Sequence, residues 1–319
     1  MHFTLKQLRY FDAAIRTGSI VKAAREMRIS QSSVTAAIDQ IEQSVGCALF
    51  HRIPAKGIQP TEEGEKVGAR VAAYLEQTRL FESDVLSIAG GPMGTLHLAC
   101  YAPTAPYVLP ILLKAVAREY PDIRVDLREG DMESMNDELA AGTVDLALTY
   151  GRVLREGTLF APLFDARPWV LLPEGWDIAD RPVIRIPDLD DRPMIMLDLP
   201  ATEVYFREVF KDAGSSLNVS HRTKSSSVLR GLVGADFGYS ILNICGHGDR
   251  DRRSGYVARP LAGDLEAPTF GVACTAARRG SAVVQAVLGI AERLAAEGAF
   301  DALLMRPGDV SVPAREAAE

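Results

Sequence analysis

Seven short side chains fall within ten residues: Ser30, Gln31, Ser32, Ser33, Thr35, Ala36 and Asp39. Nearly all can hydrogen-bond, and only one carries a charge. Their natural chemistry is recognition of a flat edge bearing donors and acceptors. Gln pairs bidentately with adenine, and short chains let a helix backbone come close to bases in a major groove. That chemistry requires a helix with its other face buried. Val34, Ile38, Ile41 and Val45 recur at intervals of four, three and four, which supplies such a face. The outward face then carries Ser32, Ser33, Thr35, Ala36, Asp39, Gln40 and Gln43. Upstream, Val21, Ala24 and Met27 mark a shorter helix, with a break at Ile29-Ser30. Taken alone, the spacing fits two packed helices of an ordinary bundle equally well.

The flanking residues narrow the choice. Leu5, Leu8, Phe11, Ala14 and Ile15 predict a first helix that covers the other two. Ser19 and Ser30 are placed to cap the helices that begin just after them. Leu49 to Pro60 reads as a hairpin with a turn at Pro54-Ala55-Lys56-Gly57, and Arg52 and Lys56 are the candidate phosphate or minor-groove contacts. His51 reads as a solvent-facing or phosphate-contacting residue rather than a metal ligand. The chain carries a net charge of -7, yet residues 1–60 sum to about +4, leaving about -11 for the remainder. A basic head on an acidic body fits a protein whose head alone meets phosphate.

Leu5, Gly18-Ser19, Ala23-Ala24, Ser30-Gln31-Ser32, Ile41-Glu42, Leu49-Phe50, Arg52, Pro60-Thr61 and Gly64 stand as they do in one known family. Over Phe3 to Val71 the chain resembles the winged helix-turn-helix of LysR-type transcriptional regulators. Thr35 departs from the Ser common there, Ile41 from Leu, and Arg52-Ile53-Pro54 opens an unusual wing. Thr61 opens a long helix with Glu62, Glu63 and Glu65 in its first turn, stopping at Gly90-Gly91-Pro92. Such a helix spans on the order of 40 Å, too far for one small domain to cover its apolar stripe. A partner helix is the expected cover. In the family this segment pairs two subunits, so the resemblance implies homodimers, tetramers, an interrupted palindrome in double-stranded DNA, and contact with RNA polymerase.

Beyond the Gly90–Gly94 hinge, strands and helices alternate, which predicts a mostly parallel α/β sheet. LHLACYAPTAPYVLPILL, PLFDARPWVLLPEG and LVGADFGYSILN resemble the family's effector-binding domain, a two-lobed fold like periplasmic solute-binding proteins; Asn243 stands where Pro is common. The expected domains are therefore a winged helix-turn-helix (1–60), a linker and dimerisation helix (61–92), and an α/β effector domain (93–304). Its lobes would be 93–165 plus 266–304, and 166–265, with a flexible tail at 305–319. Ligands of open α/β sheets sit beyond the carboxyl ends of strands. Tyr101, Thr104, Asp131, Thr149, Asp198, Thr202 and Ser226 are the candidate effector contacts. Asp131 and Asp198 raise the hypothesis of a cationic group on the effector, against their simpler roles as turn residues or caps.

Other classes fit less well. GxSxG, HExxH, a Walker-type loop and GxGxxG are all absent, so no enzymatic role and no cofactor are expected. Cys47, Cys100, Cys245 and Cys274 lie far apart without metal spacing and read as reduced core thiols rather than a redox sensor. A ligand-independent architectural DNA-binding protein has no need of a two-hundred-residue α/β body. No signal-peptide pattern and no apolar run near ~18 residues occurs, so a cytoplasmic protein without a membrane span is expected.

Overall fold

The computed structural model describes residues 3–53, 57–250, 254–306 and 308–309. The chain divides into two compact units, Met1–Ala89 with Ala141–Thr143, and Gly90–Ala140 with Val144–Glu319.

In the first unit, α1 (Leu5–Thr17), α2 (Ile20–Met27) and α3 (Gln31–Val45) precede a hairpin of β1 (Phe50–Ile53) and β2 (Gly57–Pro60), then α4 (Glu62–Gly90). Each of the first three helices is capped by its own sequence. Thr4 and Gln7 form a reciprocal capping box at α1. Ser19 and Ser30 accept from the third backbone N–H beyond them, at Lys22 and Ser33. Gly18 and Gly46 close α1 and α3 in left-handed conformation. Arg28 closes α2 in the same conformation at φ 54°, where a side chain is strained. Phe11, Ala13, Ala14, Ala23, Val34, Ile38, Ile41 and Leu49 form the core. Val45 is exposed, so the buried face of α3 ends at Ile41, and Val21 is likewise exposed. The hairpin folds back on the α1–α2 turn, where Ile58 N–H donates to the Gly18 carbonyl at 3.1 Å. A Cβ on Gly57, which has φ +89°, would lie 2.6 Å from that same oxygen. The turn residues Pro54, Ala55 and Lys56 lie outside the described residues.

The second unit runs β3 (Gly94–Tyr101), α5 (Ala105–Glu119), β4 (Ile123–Gly130), α6 (Met132–Ala141), β5 (Leu146–Tyr150), β6 (Thr158–Asp165) and β7 (Trp169–Pro173). It continues with β8 (Pro193–Leu197), α7 (Pro200–Asp212), β9 (Asn218–Thr223), α8 (Ser226–Gly234), β10 (Ser240–Leu242) and β11 (Tyr256–Pro260). β12 (Thr269–Thr275), α9 (Ala276–Arg279) and α10 (Ala282–Ala296) complete it. One sheet has the order β4-β3-β5-β12-β6; a second has β10-β7-β11, beside a β8-β9 pair joined to it by a bridge from Met194 to Tyr239. β3 pairs parallel with β4 and β5, but β12 lies antiparallel between β5 and β6, and β7 is antiparallel to both its neighbours. The expectation of a mostly parallel sheet is thus corrected to a mixed one. Strands that carry the chain out of one lobe and back again need no crossover helix, and they enter reversed.

The chain passes between lobes twice, and the passages meet where Ala166 N–H donates to the Pro268 carbonyl at 3.0 Å. Met305, at the start of the expected tail, is buried, and most of the tail beyond it lies outside the described residues. Among the described residues no helix is long and apolar enough to cross a membrane, and no cluster of metal-binding side chains occurs.

Candidate nucleic-acid interface and effector cleft

On α3 the residues Gln31, Ser32, Ser33, Ala36 and Asp39 are exposed, as is the cap Ser30, while Thr35 is partly covered. The Ser30 hydroxyl lies 2.8 Å from those of both Ser32 and Ser33, so three hydroxyls cluster at the positive end of the helix. The Thr35 hydroxyl donates back to the Gln31 carbonyl at 3.0 Å. Gln31, Ser32 and Thr35 share one open groove with Val21 of α2 and with Arg52, Gly57 and Ile58 of the hairpin. Arg52 Nη2 donates to Asp39 Oδ1 at 2.7 Å, with both side chains more than half exposed. Sequence reasoning named both residues for DNA but did not foresee that they pair.

Glu42 was part of the resemblance without a role. Its Oε1 accepts from the backbone N–H of Leu49 at 2.6 Å and of Phe50 at 3.1 Å, tying the hairpin to α3. The wing is thereby fixed to the helix that carries the polar face. Lys56 lies outside the described residues. Cys47, expected in the core, is exposed at the end of α3; the other three cysteines are buried, and all four are free thiols.

In the second unit a cavity opens between the lobes, lined by Tyr101, Thr104, Tyr150, Arg152, Thr202, Tyr205, Arg230, Asn243 and apolar neighbours. Its free volume is about 50 Å³, which is room for a few waters. Tyr101 and Thr202 hydrogen-bond across it at 2.6 Å, joining β3 of one lobe to the first turn of α7 in the other. Arg152 lies over the Tyr205 ring at 5.2 Å and pairs with Glu208 and Glu266. Arg230 is clamped by Asp249 through two contacts of 2.6 and 2.8 Å. Burial pushes the hydroxyls of Tyr101, Tyr150 and Tyr205 above the usual phenol range, so all three remain protonated donors.

Of the residues expected to contact effector, the structure brings Tyr101, Thr104 and Thr202 together in this cavity; Asp131, Thr149, Asp198 and Ser226 are not among its lining. Asp131 caps α6, accepting from Glu133 and Ser134 N–H at 2.9 Å each. Asp198 accepts from Arg222 at 3.1 Å. Both carboxylates thus have partners on the protein and neither lines the cavity, in keeping with their simpler roles as turn residues or caps, although the negative charge of Asp131 acts on the Tyr101 hydroxyl. Ser226 sits in the first turn of α8, where Arg230 donates to its carbonyl. Thr149 lost its place to Tyr150 by the alternation of a strand, since successive side chains face opposite ways. Arg152, Tyr205 and Arg230 went unnamed, and Asn243 was noted only as a departure from the family and not as a contact. Tyr205 and Arg230 lie inside helices rather than at strand ends, and no local pattern marks them.

A helix-turn-helix with an open polar helix face, succeeded along the chain by a two-lobed α/β unit enclosing a small cavity, defines a ligand-responsive DNA-binding regulator. Residues 5–65 match the family of bacterial regulatory helix-turn-helix proteins of the lysR type, and residues 89–296 match the LysR substrate binding domain. The chain belongs to the LysR family of transcriptional regulators. It is 27% identical over 246 residues to the RuBisCO operon transcriptional regulator of Allochromatium vinosum, covering 76% of this chain and 80% of that one. Its fold matches HinK, a LysR family regulator from Pseudomonas aeruginosa, with a TM-score of 0.61 and 27% identity over 92% of this chain and 98% of that one. It also matches full-length CbnR in complex with its target DNA, with a TM-score of 0.56 over 92% of this chain and all of that one; at 18% identity that likeness speaks to fold alone.

Proposed function

We propose that the exposed face of α3 reads base edges in the major groove, with Ser30, Gln31, Ser32, Ser33, Thr35, Ala36 and Asp39 as its contact surface. Arg52 and Lys56 supply phosphate contacts beside it. The observation that carries this reading is the groove shared by Gln31, Ser32, Thr35 and Arg52, in which short polar chains stand in the open while Val34, Ala37, Ile38 and Ile41 on the other face are buried. Two heads are held as a dimer by α4, whose Tyr74, Phe81 and Val85 stand exposed in one chain, and so read the two halves of an interrupted palindrome. Dimers assemble further into tetramers, and a small molecule seated between the lobes changes the spacing of the heads and the access of RNA polymerase.

The division into head, linker and two-lobed body serves these tasks. Tyr101, Thr104 and Thr202 are effector contacts. The protein acts in the cytoplasm and catalyses no reaction. The cavity supports a sensor over an architectural protein, because bending DNA needs no enclosed pocket. Footprinting on DNA upstream of the gene tests the reading. Protection of two half-sites about one helical turn or a multiple apart, altered when a metabolite is added, is the expected result. Uniform, sequence-indifferent protection would oppose it.

A further inference from the structure

The two charged side chains that line the cavity are already paired. Arg230 meets Asp249, and Arg152 meets Glu208 and Glu266. A charged ligand at Arg230 would have to displace the buried Asp249 or be buried without a partner, and either is costly; at Arg152 it would compete with two half-exposed carboxylates. The two helix starts that face the cavity are also blunted as anion sites. Pro106 and Pro200 remove one N–H each from the first turns of α5 and α7, and the Thr104 carbonyl accepts from Tyr107 and Val108 N–H at 3.0 and 3.1 Å.

Two uncharged groups remain open. Tyr150 is 6% exposed and lines the cavity, and no described residue hydrogen-bonds its hydroxyl. Asn243 donates its amide N–H groups to the Ala166 carbonyl at 2.7 Å and the Tyr205 oxygen at 3.4 Å, which leaves its Oδ1 as an acceptor. The Tyr205 hydroxyl is in turn committed to the Glu266 carbonyl at 2.7 Å. Beside the hydroxyls of Tyr101, Thr104 and Thr202, which already have partners, the cavity thus offers one further amphiprotic hydroxyl and one amide oxygen.

We propose that the effector is a small uncharged molecule with a hydroxyl or amide N–H, held between Tyr150 and Asn243. The proposal rests on the reading of this cleft as the effector site. Because the cavity has room for only a few waters, the molecule enters by parting Tyr101 from Thr202. Asn243 is then a specificity residue, since its oxygen welcomes a donor and repels a carboxylate.

The test is calorimetry on the full chain with benzyl alcohol, benzamide, benzoate and benzylamine as matched probes. The alcohol or the amide should bind at least about tenfold more tightly than either charged probe. Tyr150→Phe, which removes one hydroxyl and keeps the ring, should weaken that binding about fivefold, as for one lost hydrogen bond. Ala201→Leu, which narrows the cavity, should weaken all binding while DNA binding reports a folded chain. If benzoate or benzylamine binds best and Ala201→Leu abolishes it, the uncharged class is wrong and the cleft stands. If binding survives Ala201→Leu, the cleft reading itself fails. Absence of binding by both uncharged probes overturns the proposed class.

Discussion

Arg52 and Asp39 show how an ion pair alters what one substitution reports. The pair is exposed, so it adds little to folding stability. Its effect would lie on DNA: without Arg52, Asp39 stands uncompensated on the surface proposed to meet phosphate. Arg52→Ala should therefore weaken binding to every sequence by roughly tenfold and flatten the salt dependence by about one counterion. Adding Asp39→Asn should recover part of that loss in a salt-titrated mobility-shift assay; no recovery would mean the pair is irrelevant in the complex. The thiols make a second residue-level test. Burial pushes the Cys100 and Cys245 thiols up to about 12, far from reactivity at neutral pH. Cys47 alone is exposed. A native thiol titration should count one fast-reacting group per chain, and two or more would contradict the packing described.

Helix ends hold the polar face of α3 in place. Ser30→Ala removes the cap on Ser33 N–H and should cost about 0.5–2 kcal/mol in chemical denaturation. Around α7, Arg222 and then Arg207 bond the Glu203 carboxylate and hold it down at about 2. A depressed acid stabilises the fold above the ordinary carboxylate range and loses that contribution as pH falls through about 2. Glu203→Gln should thus lower stability at pH 7 by roughly 0.5–1 kcal/mol, solvent screening included, and the gap should close by pH 2–3; an equal gap at both pH values would refute the assignment. The helices of the head were legible because period and caps are local. Val45 was misjudged because periodicity does not say where the covering layer ends. The direction of β12 was hidden because alternation of strands and helices does not record which lobe a strand rejoins. In the cleft, strand-end reasoning found Tyr101, Thr104 and Thr202, but the choice between Thr149 and Tyr150 depends on facing. Arg230 reaches the cavity from within α8, which no short window of sequence shows.

The proposed dimer makes the whole molecule depend on two copies acting together. Phe81 is 67% exposed on α4, a large apolar surface for a single chain to leave in water. Phe81→Glu should shift the protein towards monomer in sedimentation and lower operator affinity by at least about tenfold, because one head then binds alone; an unchanged oligomer would place the partner contact elsewhere. Acidic body and basic head serve the same end, since only the head is drawn to DNA. The most direct measurement of the central claim is the ratio of operator to random-sequence affinity for wild type and Gln31→Ala at one salt concentration. The account predicts that the ratio falls by about tenfold, from loss of a base contact, while random-sequence affinity holds. An unchanged ratio, with wild-type affinity on both DNAs, would contradict it.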